Sequence, residues 1–184
     1  TAMTDRTSGA LLLVLFLVSG ACGLIYEVVW TRLFTVVIGN TVFSVSAILA
    51  VFMAGLALGS RLAGRFLDKR VVPLTRAYAV LEAGIGIYNL LLPILLMLAD
   101  PLFGAVYSAS YQSPLALGTA RIVISFALLI VPATLMGATL PILVRFYVDN
   151  IANAGWQAGR VYAANTCGAA LGAALAGFVL IPCG

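Results

Sequence analysis

The sequence predicts an all-α fold, a polytopic bundle of five transmembrane helices, and three observations predict it. Five apolar stretches fill almost all of the 184 residues; 63% of residues are hydrophobic and 9% charged; and the basic residues gather in alternate connections between the stretches. A spanning helix needs roughly 20 mostly apolar residues, because a rise of about 1.5 Å per residue must cover about 30 Å of hydrocarbon. Inside lipid the backbone must satisfy its own hydrogen bonds. The stretches show no period-two alternation and no strand-length punctuation, so helices are expected rather than a barrel. No segment has the mixed patterning of a water-soluble domain, which leaves one integral membrane domain over residues 1–184.

The first span is expected from about Ala10 to Val37. It follows Arg6, as a signal peptide would, but it is too long for a secretory h-region. Glu27 and Arg32 also lie where cleavage would fall, so it reads as a retained span. The second runs from about Thr41 to Leu62 and leads into the densest basic cluster, Arg61, Arg65, Lys69, Arg70 and Arg76, expected as a short loop. The third covers Leu74 to Ala99. The connection from about Asp100 to Gly118 holds Pro101, Tyr107, Tyr111, Gln112 and Pro114 and is expected as an interfacial loop with aromatic anchoring. The fourth span, Leu117 to Val144, contains Pro132 and Pro141, which free backbone carbonyls; Gly137 and Thr139 between them ease the distortion. The fifth runs from Val161 to Ile181. The closing Pro182-Cys183-Gly184 reads as a turn leading into something further.

Cytoplasmic loops carry an excess of lysine and arginine. With the Arg61–Arg76 cluster inside, the N-terminus with Arg6 and the connection flanked by Arg145 and Arg160 also fall inside. Eight of the ten basic residues then share one side, with Arg32 and Arg121 toward the other. The expectation is a cytoplasmic N-terminus. The net charge of +4 expresses orientation, so no nucleic-acid partner is implied.

The second span contains Gly55-Leu-Ala-Leu-Gly59-Ser-Arg-Leu-Ala-Gly64, and the fifth contains Gly168-Ala-Ala-Leu-Gly172-Ala-Ala-Leu-Ala-Gly177, identical at seven of ten positions. Glycines at i and i+4 let helix backbones approach closely, so both faces are expected to be helix contacts, within the chain or in a homo- or hetero-oligomer. Two readings stay open. Small-residue phrases recur by chance in Ala-, Gly- and Leu-rich spans. Alternatively, spans running in opposite directions make this an inverted repeat of three-helix units, of which the second would lack its third helix, the sixth of the bundle.

Glu27 and Glu82 lie within the first and third spans, where a charge costs at least ~2.5 to 3.5 kcal/mol unless paired, neutralised or hydrated. One reading makes them a cation or proton path with Tyr26, Trp30, Tyr78 and Tyr88 beside them. The other is a structural ion pair with Arg32 or Arg121. In the basic loop Arg65, Asp68, Lys69 and Arg70, Asp68 is placed to latch two spans together, and the loop partly resembles that of major facilitator transporters. A plain positive-inside loop fits as well.

No nucleophile–base constellation, phosphate loop or dinucleotide fingerprint is present, so the chain itself offers no catalytic site and no cofactor motif. Cys22, Cys167 and Cys183 are unpaired by any CxxC spacing, and with no histidine there is no metal-site pattern.

Several phrases, in order, carry a family resemblance: Ile25-Tyr-Glu-Val-Val-Trp30-Thr-Arg-Leu33, Gly39-Asn-Thr41, Phe52-Met-Ala-Gly-Leu-Ala-Leu-Gly59, Met136-Gly-Ala-Thr-Leu-Pro141 and Tyr162-Ala-Ala-Asn165-Thr-Cys-Gly168. Together they resemble the membrane domain of bacterial fused spermidine-synthase-like proteins. The resemblance implies a bacterial inner membrane and a major-facilitator-like helical region linked, in the full-length protein, to a cytoplasmic aminopropyltransferase domain. Its nucleotide-binding and catalytic residues match no position here. The expected role is a membrane anchor and polyamine or cation conduit. A structural assembly subunit and a half-transporter that oligomerises stand as alternatives.

Overall fold

The computed structural model describes residues 2–38, 42–110, 114–148 and 151–180. The described residues form α1 (Ala2–Ile38), α2 (Val42–Lys69), α3 (Leu74–Ser110), α4 (Pro114–Tyr147) and α5 (Ala154–Leu175). A 3-10 turn, Ile151–Asn153, enters α5, and a π-helical turn, Ala176–Leu180, continues it. All five helices are long and apolar enough to cross a membrane.

The distribution of apolar side chains fits a hydrocarbon solvent. Leu90, Met97 and Leu98 on α3 are 79%, 71% and 71% exposed, and Phe178 is 82% exposed, which water would penalise and lipid does not. Burial is concentrated instead at two knots of the bundle axis. One joins Trp30, Phe34, Ile48, Phe52, Leu92 and Leu129 near one end, and the other joins Phe16, Leu67, Tyr78, Leu143 and Val161 near the other.

Backbone packing sorts the helices into two close pairs, α2 with α4 and α1 with α5, and α3 lies against α4. Neighbouring residues fix directions. Leu17 and Ala21 of α1 meet Gly168 and Gly172 of α5 in the same order, and Gly55 and Gly59 of α2 meet Ala133 and Ala138 of α4 in the same order, so each pair is parallel. Gly9 with Tyr147 and Gly23 with Met136 run in opposite order, so the two pairs are antiparallel to one another. The two copies of the decapeptide phrase therefore point in opposite directions, each seated on a parallel partner. That is the geometry of an inverted repeat.

Hydropathy reports depth in lipid, whereas helicity continues past it, and several expected boundaries move for that reason. The loop expected over Asp100–Gly118 is instead helix to Ser110, passing through Pro93 and Pro101. At 1.5 Å per residue its 37 residues measure about 55 Å, well beyond the hydrocarbon. Of the basic cluster expected as a loop, Arg61, Arg65 and Lys69 lie on the last turns of α2 and Arg76 on the first turn of α3; only residues 70–73, with Arg70, connect the two helices. The fifth helix begins at Ala154, not Val161. Residues Tyr111, Gln112 and Pro182–Gly184 and the side chains of Arg6, Tyr107, Pro114 and Arg121 lie outside the described residues.

The proline consequence expected in α4 is visible in one bond. Pro132 has no N–H, so the carbonyl four residues earlier, on Leu128, loses its helical donor; the Tyr88 hydroxyl of α3 donates to it at 2.7 Å. Within the same stretch, Thr134 donates to the Ile130 carbonyl and Thr139 to that of Met136.

Candidate functional site

The repeat glycines and the carboxylates lie in physically opposite surroundings. At Gly55 a Cβ would press into Ala133, at Gly59 into the Thr134 carbonyl, at Gly168 into that of Leu17 and at Gly172 into that of Ala21. These four glycines are where backbones touch. Gly20 and Gly137, which the repeat did not flag, belong to the same seams, against Asn165 and Leu56. Gly64 and Gly177, expected to pack, have open space where a Cβ would stand.

Between α1 and α3 the backbones stand apart, and side chains bridge the gap. The Ser19 hydroxyl donates to Oε1 of Glu82 at 2.6 Å, and the Trp30 indole N–H donates to Oδ1 of Asn89 at 2.9 Å. Asn89 in turn donates to the Ile85 carbonyl. Tyr26 stacks on Trp30 with ring centroids 6.4 Å apart, and Phe52 of α2 meets Trp30 edge-on. Phe16 and Tyr78 meet edge-on at the other side of the gap. These contacts hold α1 and α3 parallel and roughly a side chain's length apart.

The space so kept open is a cavity of about 430 Å³ between the two apolar knots. Its walls are apolar except for Ser19, Tyr26, Thr75, Tyr78 and Glu82, and Cys22, Gly23 and Gly86 leave it room. The Tyr78 residue is 4% exposed, and its hydroxyl lies beside Glu82 and Ser19 yet completes no hydrogen bond. A half-buried carboxylate and an unsatisfied, buried hydroxyl thus face one half-open space. Each is costly to leave without a partner.

The sequence placed Glu27 and Glu82 at similar depth, and the helix register separates them. Glu82 is level with Ser19, while Glu27 lies eight residues further along α1, about 12 Å toward Arg32. Glu27 is half-buried and does not line the cavity. Among the described residues neither carboxylate forms an ion pair, and Arg32 is exposed. The one ion pair there joins Asp68 of α2 to Arg145 of α4 at 3.8 Å, across an exposed surface. Arg65, Lys69 and Arg70 are exposed at that same end of the bundle. Cys22 and Cys167 are free thiols, the first at the cavity and the second on the outer surface.

Sequence reasoning missed Ser19 and Asn89, and it gave Cys22 no place beside a cavity. Ser19 lies eight residues before Glu27 on the same helix, and only the rotation of α1 against α3 brings it to Glu82.

No known family, curated protein or solved structure matches this chain.

Proposed function

We propose that this chain is an integral membrane module that takes an organic cation of the polyamine class into the cleft between α1 and α3. In the spermidine-synthase-like architecture that its motifs resemble, it anchors an aminopropyltransferase domain at the basic, cytoplasmic end of the bundle. The observation that carries the reading is the Glu82 carboxylate. It is held by Ser19 in an otherwise apolar cavity, beside an unsatisfied Tyr78 hydroxyl, with no basic side chain paired to it among the described residues. A carboxylate at such depth costs ~2.5 to 3.5 kcal/mol unless neutralised. A protonated amine supplies the missing charge, its N–H groups reach both Glu82 and the Tyr78 oxygen, and its methylene chain suits the apolar walls.

The assembly-subunit alternative is weakened by the packing, since Gly55, Gly59, Gly168 and Gly172 already contact helices of this same chain. The test of the amine reading is spermidine titration of the purified protein in detergent by calorimetry. Glu82→Gln keeps the shape and the Ser19 bond while removing the charge, and it should weaken binding at least about tenfold. Glu27→Gln should leave it nearly unchanged. Equal affinity in Glu82→Gln and the native protein would remove the proposal. Orientation has its own test: a Lys69→Cys variant should react with impermeant thiol reagents from the cytoplasmic side alone.

A further inference from the structure

A second cavity, independent of the amine cleft, opens on the outer surface at the basic end. The backbones of α2 and α3 do not pack together there, and α4 forms the floor of the gap through Ala138 and Ile142. The space is about 730 Å³, within the range of ordinary ligand sites, roughly 300–1,000 Å³. Its walls, Leu62, Phe66, Val80 and Leu81 among them, are apolar along their length, and the one charged lining residue is Arg76. A second guanidinium sits at the same mouth, since that of Arg70 lies over the Phe66 ring, 5.8 Å from its centroid.

These two arginines have no acidic partner among the described residues. The nearest acid in sequence, Asp68, is engaged with Arg145 on the other side of α2. Arg65 and Lys69 add to the positive field of this helix end. The groove therefore has two chemistries in series, a long apolar trough and a dibasic mouth at the level where a lipid phosphate would lie. A second protein helix would satisfy the trough and leave the guanidiniums unanswered. A free anion would satisfy the guanidiniums and leave the trough empty.

We infer that this groove binds an anionic glycerophospholipid, with one acyl chain between α2 and α3 and the phosphate between Arg70 and Arg76. Basic residues at membrane-surface level each favour an anionic headgroup by about fivefold. The site is thus selective, unlike the general lipid contact of the remaining apolar surface.

Native mass spectrometry of the detergent-purified chain, titrated separately with phosphatidylglycerol and phosphatidylcholine, tests it. The native protein should retain phosphatidylglycerol about tenfold or more over phosphatidylcholine at low ionic strength, and the preference should fall as salt rises. Arg70→Gln with Arg76→Gln, both exposed positions, should abolish the preference. Val80→Trp, at a position 64% exposed, fills the trough and should weaken both lipids. Equal retention of the two lipids by the native chain overturns the inference, as does a preference that survives the double substitution. Phosphatidylglycerol binding untouched by Val80→Trp overturns it as well, since the acyl chain would then lie elsewhere. Spermidine binding does not enter the readout, so either site can fail without the other.

Discussion

Two interfaces of α1 differ in kind. Against α5 it makes a seam in which Gly168 and Gly172 lie on the carbonyls of Leu17 and Ala21, leaving no room for even a methyl group. Against α3 it makes a cleft spanned by Ser19–Glu82 and Trp30–Asn89, with about 430 Å³ between. Lipid gives helices no hydrophobic reason to associate, so the seam relies on dense van der Waals contact between backbones, while the cleft relies on a few directed hydrogen bonds. The difference teaches where function can reside. A seam of small residues fixes geometry and admits nothing, and a gap bridged by polar side chains keeps a ligand-sized space without collapsing.

The sharpest way to break this contrast is to enlarge a seam residue. Gly59→Ala or Gly168→Leu should destabilise the bundle by about 3 kcal/mol or more, read as a lowered melting temperature or loss of a monodisperse peak in detergent. The atoms in the way are backbone carbonyls, which cannot rotate aside. In the cleft, Trp30→Phe keeps the ring but strands Oδ1 of Asn89, and should cost about 1–2 kcal/mol in the same melt. If both changes cost the same, seam and cleft are not mechanically distinct.

Gly64 sharpens the comparison from within the repeat. It has the same sequence context as the seam glycines but open space around it, so Gly64→Ala should stabilise α2 by about 0.5–1 kcal/mol. A destabilisation there would mean that the phrase, and not the contact, sets the requirement. The smallest effect belongs to the Asp68–Arg145 latch, whose side chains are 74% and 58% exposed. Asp68→Asn should shift stability by less than about 0.5 kcal/mol, within the scatter of repeat melts.

Much of the architecture was legible because bilayer length and backbone saturation leave few choices: five apolar runs become five helices. Four of the six repeat glycines, Gly55, Gly59, Gly168 and Gly172, were legible as points of close approach, while Gly64 and Gly177 were not. What stayed hidden depends on rotation about helix axes. Ser19 and Glu82 are 63 residues apart, and nothing in either local sequence announces that they face one another. Glu27, the more conspicuous carboxylate by its central place in the first span, turned out to lie outside the cavity. Pro101 falls in the connection expected as a loop, yet α3 runs through it, because a proline in a long helix removes one hydrogen bond without obliging the chain to turn.

The bond from Tyr88 to the Leu128 carbonyl has a mechanical corollary. It fastens the third helix to the fourth at the very point where proline left that helix weakest, and the fourth is already welded to the second along its glycines. Three helices are thereby joined in one block, and the first and fifth in another. Any widening of the α1–α3 cleft is a displacement of one block past the other, resisted at its boundary by the Ser19–Glu82 and Trp30–Asn89 bridges, by the bond from the Tyr147 hydroxyl to the Gly9 carbonyl and by the two apolar knots.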